Sequence, residues 1–266
     1  MRKVFFLIFI LLFSRAALAH EYWLEPDKFF LAPNELTVVR LFVGEGLKKQ
    51  EERPFQRSRT AAFSYFSLEA ITELKSLMTE AGLPFYFTGA KPGNYLFAME
   101  RKPAYIKIDA QKFEDYLREE GMEYIIDERK KLGESAKEGR ERYSRFIKMM
   151  LQVGESRDTV FKRLAGSKLE ISAKENPYAK KIGDTLEFWV TFDKKPLANK
   201  TVFADNRNGE AMASQKLQTD AKGRFKVKLD QKGIWLIRLV VMQRCQKDCA
   251  EADWESFWGA YSFGVK

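Results

Sequence analysis

The chain contains a single histidine, His20, among 266 residues. That count alone excludes mechanisms needing two imidazoles from one chain, including His-Glu-x-x-His metalloproteases, multi-histidine zinc sites and the copper brace of monooxygenases. The position of His20 suggests a different chemistry. Residues 1–19 carry Arg2 and Lys3, an unbroken apolar run from Val4 to Phe13, and Ala17-Leu18-Ala19 as a small-x-small cleavage site. The run is too short to span a bilayer comfortably, so it reads as a signal peptide. Cleavage after Ala19 makes His20 the first residue of an exported protein. Its free α-amine, with a pKa of about 8, and its imidazole Nδ1 then close a chelate ring on a metal ion. Binding near neutral pH displaces only a loosely held proton. Such nitrogens suit nickel, copper, cobalt or zinc. The remaining ligands must be carboxylate, thiol, thioether, backbone or partner groups. Glu21, Glu25 and Asp253 are candidates by type.

Cys245 and Cys249 are the only two cysteines. In an exported chain they are expected to form a disulfide that tightens the loop between two strands. The alternative is a two-thiolate clip for a soft metal. Tyr22-Trp23 and Trp254 to Trp258 read as core or rim packing, with stacking on a sugar ring as the alternative. Gly44-Glu-Gly46 reads as a turn, since it lacks the rest of a phosphate loop. No nucleophile elbow or kinase motif occurs, and no carboxylate pair stands out for glycoside hydrolysis. The chain therefore reads as non-enzymatic.

Lys and Arg number 46 against 37 Asp and Glu, a net charge of +9 that falls to +6 without Arg2, Lys3 and Arg15. Basic and acidic residues interleave along most of the chain. A solvated basic surface is expected, and no nucleic-acid partner. No later apolar stretch is long enough to span a bilayer, so the mature chain is expected not to cross a membrane.

The elements that must position these residues are mainly strands. Leu36 to Val43, Phe63 to Leu68, Tyr95 to Met99 and Ala104 to Asp109 are β-branched and apolar. Residues 68–81 are ambiguous, because Leu68, Ile71, Leu74 and Met78 keep helical spacing. From Lys112 to Met150 the texture is charge-dense. Phe113, Tyr116 and Leu117, then Tyr143, Ile147, Met150 and Leu151, suggest two or three short helices, roughly 111–151. Glu138 with Arg142 and Glu141 with Arg145 would pair across helical turns. From Lys168 onward about seven short strands separated by turns predict an immunoglobulin-like sandwich. The expected organisation is a signal peptide at 1–19, a β-rich domain with a helical segment at 20–166, and the sandwich at 167–266.

Several segments in order resemble a known family. They are His20-Glu-Tyr-Trp-Leu-Glu-Pro26, Phe113-Glu-Asp-Tyr-Leu-Arg-Glu-Glu-Gly121, Glu141-Arg-Tyr-Ser-Arg-Phe-Ile-Lys148, Thr219-Asp-Ala-Lys-Gly-Arg-Phe225, Gly233-Ile-Trp235 and Asp253-Trp-Glu-Ser-Phe-Trp258. The family is an uncharacterised periplasmic one, a domain of unknown function associated with nickel or cobalt uptake and formerly labelled a nickel-transport substrate-specific region. The resemblance spans essentially the whole mature chain. It implies a β-rich exported protein that binds a divalent transition metal, with nickel or cobalt the best match, and serves a membrane metal transporter. Only His20 carries over as a ligand. The family pattern often has a histidine in the strand where this chain reads Val240-Val-Met242, a departure that shifts ligation to other groups. The expectation is thus a periplasmic or secreted metal-binding protein. The alternative is a cell-envelope sandwich that binds protein or glycan without metal, with Trp23, Trp254 and Trp258 on one exposed face.

Overall fold

The computed structural model describes residues 20–266, so the expected signal peptide lies outside the described residues. The chain is mainly β. Its strands are β1 (Glu21–Pro26), β2 (Phe30–Leu31), β3 (Leu36–Glu45), β4 (Lys48–Arg53), β5 (Thr60–Phe66), β6 (Ile71–Glu73), β7 (Phe85–Thr88) and β8 (Gly93–Ile108). Two helices follow, α1 (Ala110–Glu119) and α2 (Glu123–Lys131). Then come β9 (Gly139–Val153), β10 (Leu169–Ala173), β11 (Thr185–Phe192), β12 (Lys195–Pro196), β13 (Thr201–Asn208), β14 (Ala211–Gln218), β15 (Arg224–Lys228), β16 (Gly233–Arg244) and β17 (Trp254–Val265).

A large sheet runs β14-β13-β16-β17-β9-β8-β5-β6, with β2 added beside β9. It takes strands from both sides of residue 166, where two domains were expected to meet. The join is the parallel pairing of β17 with β9, in register from Trp254 opposite Glu141 to Ser262 opposite Met149. Two smaller sheets pack against it, one of β1, β3, β4 and β7 and one of β10, β11, β12 and β15.

Strand alternation in β16 shows how the layers meet. Trp235, Ile237, Leu239 and Val241 enter a core with Ile171, Phe188 and Val190 of the β10–β11 sheet. The opposite face is shared. Leu236 joins a core with Trp23, Leu24 and Leu41 of the β1–β3 sheet. Val240 and Met242 join a core with Phe113, Tyr116, Leu117 and Ile125 of the helices. Arg238 lies between Leu236 and Val240 on that face. It therefore falls at the seam between two apolar cores.

Two expectations are corrected. The helical reading of residues 111–151 holds only as far as Lys131, because residues 139–153 form β9. From Ser144 to Val153 every residue of β9 is buried, with β8 on one edge and β17 on the other. A strand buried on both faces carries a continuous apolar run, and spacing within such a run does not separate strand from helix. The helix pairs expected there dissolve: Glu141 instead meets Ser256 and Tyr116, and Arg142 meets Glu255. Residues 68–81 hold β6 and a single turn of 3₁₀ helix at Lys75–Leu77.

The two strands expected at 95–99 and 104–109 are one strand, β8. Its register slips between Arg101 and Ala104. Pro103 sits in that bulge, where its missing N–H interrupts no ladder.

Candidate functional site

The ladder between β1 and β3 sets Glu21 opposite Gly44. His20, one residue earlier, therefore falls beside the end of β3. There the backbone bulges between Val43 and Gly44 and turns through Gly46 at φ +52°. A Cβ on Gly44 would come within 1.9 Å of the Lys48 carbonyl oxygen, so only glycine fits. The Gly44-Glu-Gly46 turn presents Glu45 toward His20, with a carboxylate oxygen 3.6 Å from Nδ1.

Helix α1 supplies a second wall. Asp109 caps it by accepting from the Gln111 N–H at 3.1 Å. Phe113, Tyr116 and Leu117 bury one face, and the Tyr116 ring stacks on Trp258 with centroids 5.8 Å apart. The helix ends at Gly121 in the left-handed region, packed so tightly on Thr201 that a Cβ would clash at 2.5 Å. Glu119 and Glu120 are thereby set at the helix end. Together His20, Glu21, Glu45, Tyr116, Glu119, Glu120 and Arg238 line a cleft of about 200 Å³.

Its floor is a buried ionic cluster. The Arg238 guanidinium donates to Glu120 at 2.9 Å and Asp205 at 2.6 Å, and forms an ion pair with Glu21 at 2.6 Å. It also stacks on Phe203, 4.2 Å from the ring centroid. Asp205 accepts in addition from the Ser214 hydroxyl at 2.5 Å. Three carboxyls thus surround one cation. Burial pushes the Glu21 carboxyl pKa up to about 8, and neighbouring Glu120 adds to the rise against the pull of Arg238. Glu120 is raised for the same first reason, burial. His20 is shifted the other way. Burial lowers its imidazole pKa, helped by Arg145 and opposed by Glu45 and Glu119. A neutral imidazole is the form that binds metal.

The raised Glu21 pKa has a measurable consequence. Its folded-state value lies above the 4.5 of an ordinary glutamate, so the folded chain holds a proton that the unfolded chain releases. Stability from this group is fully present below pH 4.5 and is lost as pH rises through about 8. We expect Glu21→Gln to remove a decline on the order of 4 kcal/mol across that window, since each tenfold change in proton affinity is worth about 1.36 kcal/mol. Urea unfolding at pH 5, 7 and 8.5 reads it directly. Parallel curves for the two proteins would refute the assignment.

The structure brings together only some of the candidate ligands. Glu21 lines the cleft, although Arg238 holds its carboxyl. Glu25 is engaged elsewhere on β1, accepting from Trp23 Nε1 at 2.9 Å and Arg207 at 2.6 Å and paired with the Lys49 ammonium at 2.8 Å. Asp253 is clamped in a bidentate pair with Arg140 at 2.8 and 2.7 Å. The partners of Glu25 and Asp253 do not line the His20 cleft. Cys245 and Cys249 form a disulfide with Cα atoms 5.7 Å apart, which removes the thiolate clip. Trp23, Trp254 and Trp258 are buried, so no exposed tryptophan face exists there. Among the described residues, no three His, Cys, Asp or Glu side chains converge to hold a metal ion.

Sequence reasoning does not single out Glu45, Glu119, Glu120, Arg145 or Arg238. For the two arginines a signal exists: each is a charge inside or beside a strongly apolar strand. The glutamates carry none, since acids in turns and helix ends are ordinary. Val240, in the stretch where the family pattern often has a histidine, lines a void of about 10 Å³ beside Glu21, Arg145 and Trp258. Among the described residues no helix is long and apolar enough to cross a membrane.

A family model described as Domain of unknown function (DUF4198) matches residues 17–243. No curated protein matches the chain in sequence. A solved structure of three N-terminal domains of the bacteriophage RB49 highly immunogenic outer capsid protein (Hoc) is similar over 91% of this chain and 59% of that one. Its identity is 10% and its TM-score 0.19, too low to carry an argument.

Proposed function

The chain belongs to the DUF4198 family, and from that premise we propose that it is an exported, non-enzymatic protein that binds a divalent transition metal, nickel or cobalt, at His20. In this reading the chain is cleaved after Ala19, and the new α-amine chelates the ion together with the imidazole. The protein then holds the ion near a membrane transporter. The pair of sheets around Phe188 and Tyr261 is read as an immunoglobulin-like sandwich, packed on the face of the large sheet opposite the site.

One observation carries the reading. His20 sits at the mouth of an acidic cleft with Glu45 3.6 Å from its Nδ1. Burial keeps its imidazole pKa low, so the ring needs no deprotonation at neutral pH. Glu45 can supply an oxygen ligand, and Glu119 adds negative potential at the rim. Nickel and cobalt both accept such nitrogen and oxygen donors. Tight ligation by Glu21 would first require breaking its contact with Arg238.

The test is calorimetric titration of the exported, processed protein with Ni²⁺ and Co²⁺. Adding one alanine before His20 keeps the imidazole but moves the amine away. We expect at least a tenfold loss of affinity in the extended protein, and a further loss in His20→Ala. Equal affinities in the processed and extended proteins would remove the amine from the site. A mature N-terminus at any residue other than His20, read by mass, would end the proposal.

A further inference from the structure

The far end of β1 borders a second cleft. Glu25 and Pro26 pair there with Arg40 and Val39 of β3, and the chain then leads through Phe29 into β2. Across from them the β16–β17 ladder ends, with Ile234 opposite Gly264 and Gly233 opposite Val265. The cleft between these ends measures about 540 Å³. That falls within the range of small-molecule sites, about 300–1,000 Å³. It shares no lining residue with the His20 cleft, and strand geometry sets the two roughly 15 Å apart along β1.

Its floor is apolar and held in place. Phe29, Phe30, Phe42, Ile234 and Val265 line it. Phe42 packs on Trp23 with ring centroids 5.9 Å apart, and Phe30 meets Tyr178 edge-on at 5.1 Å. Phe30 and Ile234 remain half-buried, so apolar surface is open to the cleft. Above the rings stand ammonium groups: Lys49 lies 3.9 Å from the Phe42 centroid and Lys266 4.2 Å from that of Phe30. The lining carries four cationic side chains, Arg40, Lys49, Lys232 and Lys266, against two acidic ones. Both acids are taken. Asp27 pairs with Arg40, and Glu25 is shared by Arg207 and Lys49.

Lys232 and Lys266 are left over. Both are exposed, and among the described residues neither makes an ion pair. They occupy the next positions outward from the Gly233–Val265 pair, directly across the end of the ladder from each other. Like charges so placed repel, and an anion between them turns that repulsion into two charge-assisted contacts. A cation entering the cleft would meet ammonium groups and no free acid. An anion without an apolar part would leave the phenylalanine floor wet. We propose that this cleft binds a small organic acid, its carboxylate held by Lys232 and Lys266 and its apolar body lying on Phe30, Phe42 and Ile234.

The experiment is calorimetric titration of the processed protein, with no metal added, using three probes. They are 2-naphthoate, 2-naphthylmethylamine with the same rings and the opposite charge, and acetate with the carboxylate alone. The expected result is one 2-naphthoate per chain, bound at least tenfold more tightly than either other probe. Lys232→Gln combined with Lys266→Gln, at two exposed positions, should weaken 2-naphthoate at least tenfold while leaving the thermal unfolding midpoint unchanged. His20→Ala should leave 2-naphthoate binding as it is. Absence of saturable 2-naphthoate binding overturns the proposal. So does equal affinity for the amine, which removes the charge selection, or for acetate, which removes the apolar floor. An unchanged affinity in the double lysine variant, or a loss in His20→Ala, places the acid elsewhere and overturns it as well.

Discussion

Arg238→Met is expected to lower the unfolding free energy by about 3–5 kcal/mol at pH 7, the scale for removing one partner of a buried ionic cluster. The reason is what remains behind. Glu21 and Asp205 are each at most 5% exposed at the side chain, and Glu120 12%. Without the guanidinium these buried carboxyls lose the cation they share, in a medium that solvates any remaining negative charge poorly. Methionine fills much of the arginine stem volume, so the loss is electrostatic rather than a cavity. The variant's deficit should be smaller at pH 5 than at pH 7, because lowering the pH adds protons to carboxyls whose pKa burial has raised. Chemical denaturation at the two pH values checks both statements. A deficit under about 1 kcal/mol would mean that the carboxyls rely on protonation and not on Arg238.

The second large effect lies on the other face of the sheet. Lys148 is a charge in the middle of β9, 6% exposed, with its ammonium 2.5 Å from Glu170 of β10. It also donates to the Ile171 carbonyl at 3.1 Å and to the Ser172 hydroxyl at 3.4 Å. Glu170 accepts in turn from the N–H groups of Ala165 and Gly166 at 2.6 and 3.1 Å. The pair therefore ties the large sheet to the β10–β11 sheet. Burial pulls the Lys148 pKa down while Glu170 pulls it up. Lys148→Met should cost about 3–5 kcal/mol, because Glu170 is left charged and buried. Lys148→Met combined with Glu170→Gln should recover on the order of 1–3 kcal/mol of that loss. A double variant no more stable than the single one would show that the two side chains are not coupled.

These charged residues also mark where the sequence was readable. Alternation from Arg224 to Leu229 and the β-branched and apolar run Thr185 to Phe192 predict strands observed at Arg224–Lys228 and Thr185–Phe192, because one side of each faces a core and the other water. β9 defeats the same logic, since it is buried throughout its middle and its periodicity carries no direction. Its clue lay in isolated charges. A lysine or arginine inside an apolar run demands a partner, but the sequence does not say which. Lys148 finds Glu170 from the next strand in the chain, whereas Arg238 finds Glu21 at the opposite end of the described residues. His20 was legible because scarcity and a cleavage pattern coincide. Glu45 was not, because its approach depends on a bulge at Gly44 that only the paired strands reveal. Glu25 and Asp253 were chosen by residue type, and type does not distinguish a free carboxylate from one already held by arginine.

The parallel seam between β17 and β9 imposes an order of events. β9 is complete more than a hundred residues before the strand that will lie along its second edge. During synthesis that edge stays bare from Glu141 to Met149, although β2, made earlier, lies along its end at Gln152 and Val153. Pairings so distant in sequence form slowly, because the intervening chain must first surrender its freedom. A long unpaired apolar edge is also an invitation to other chains. The nascent protein is thus late to close, and part of the β9 edge stays open to other chains until β17 arrives.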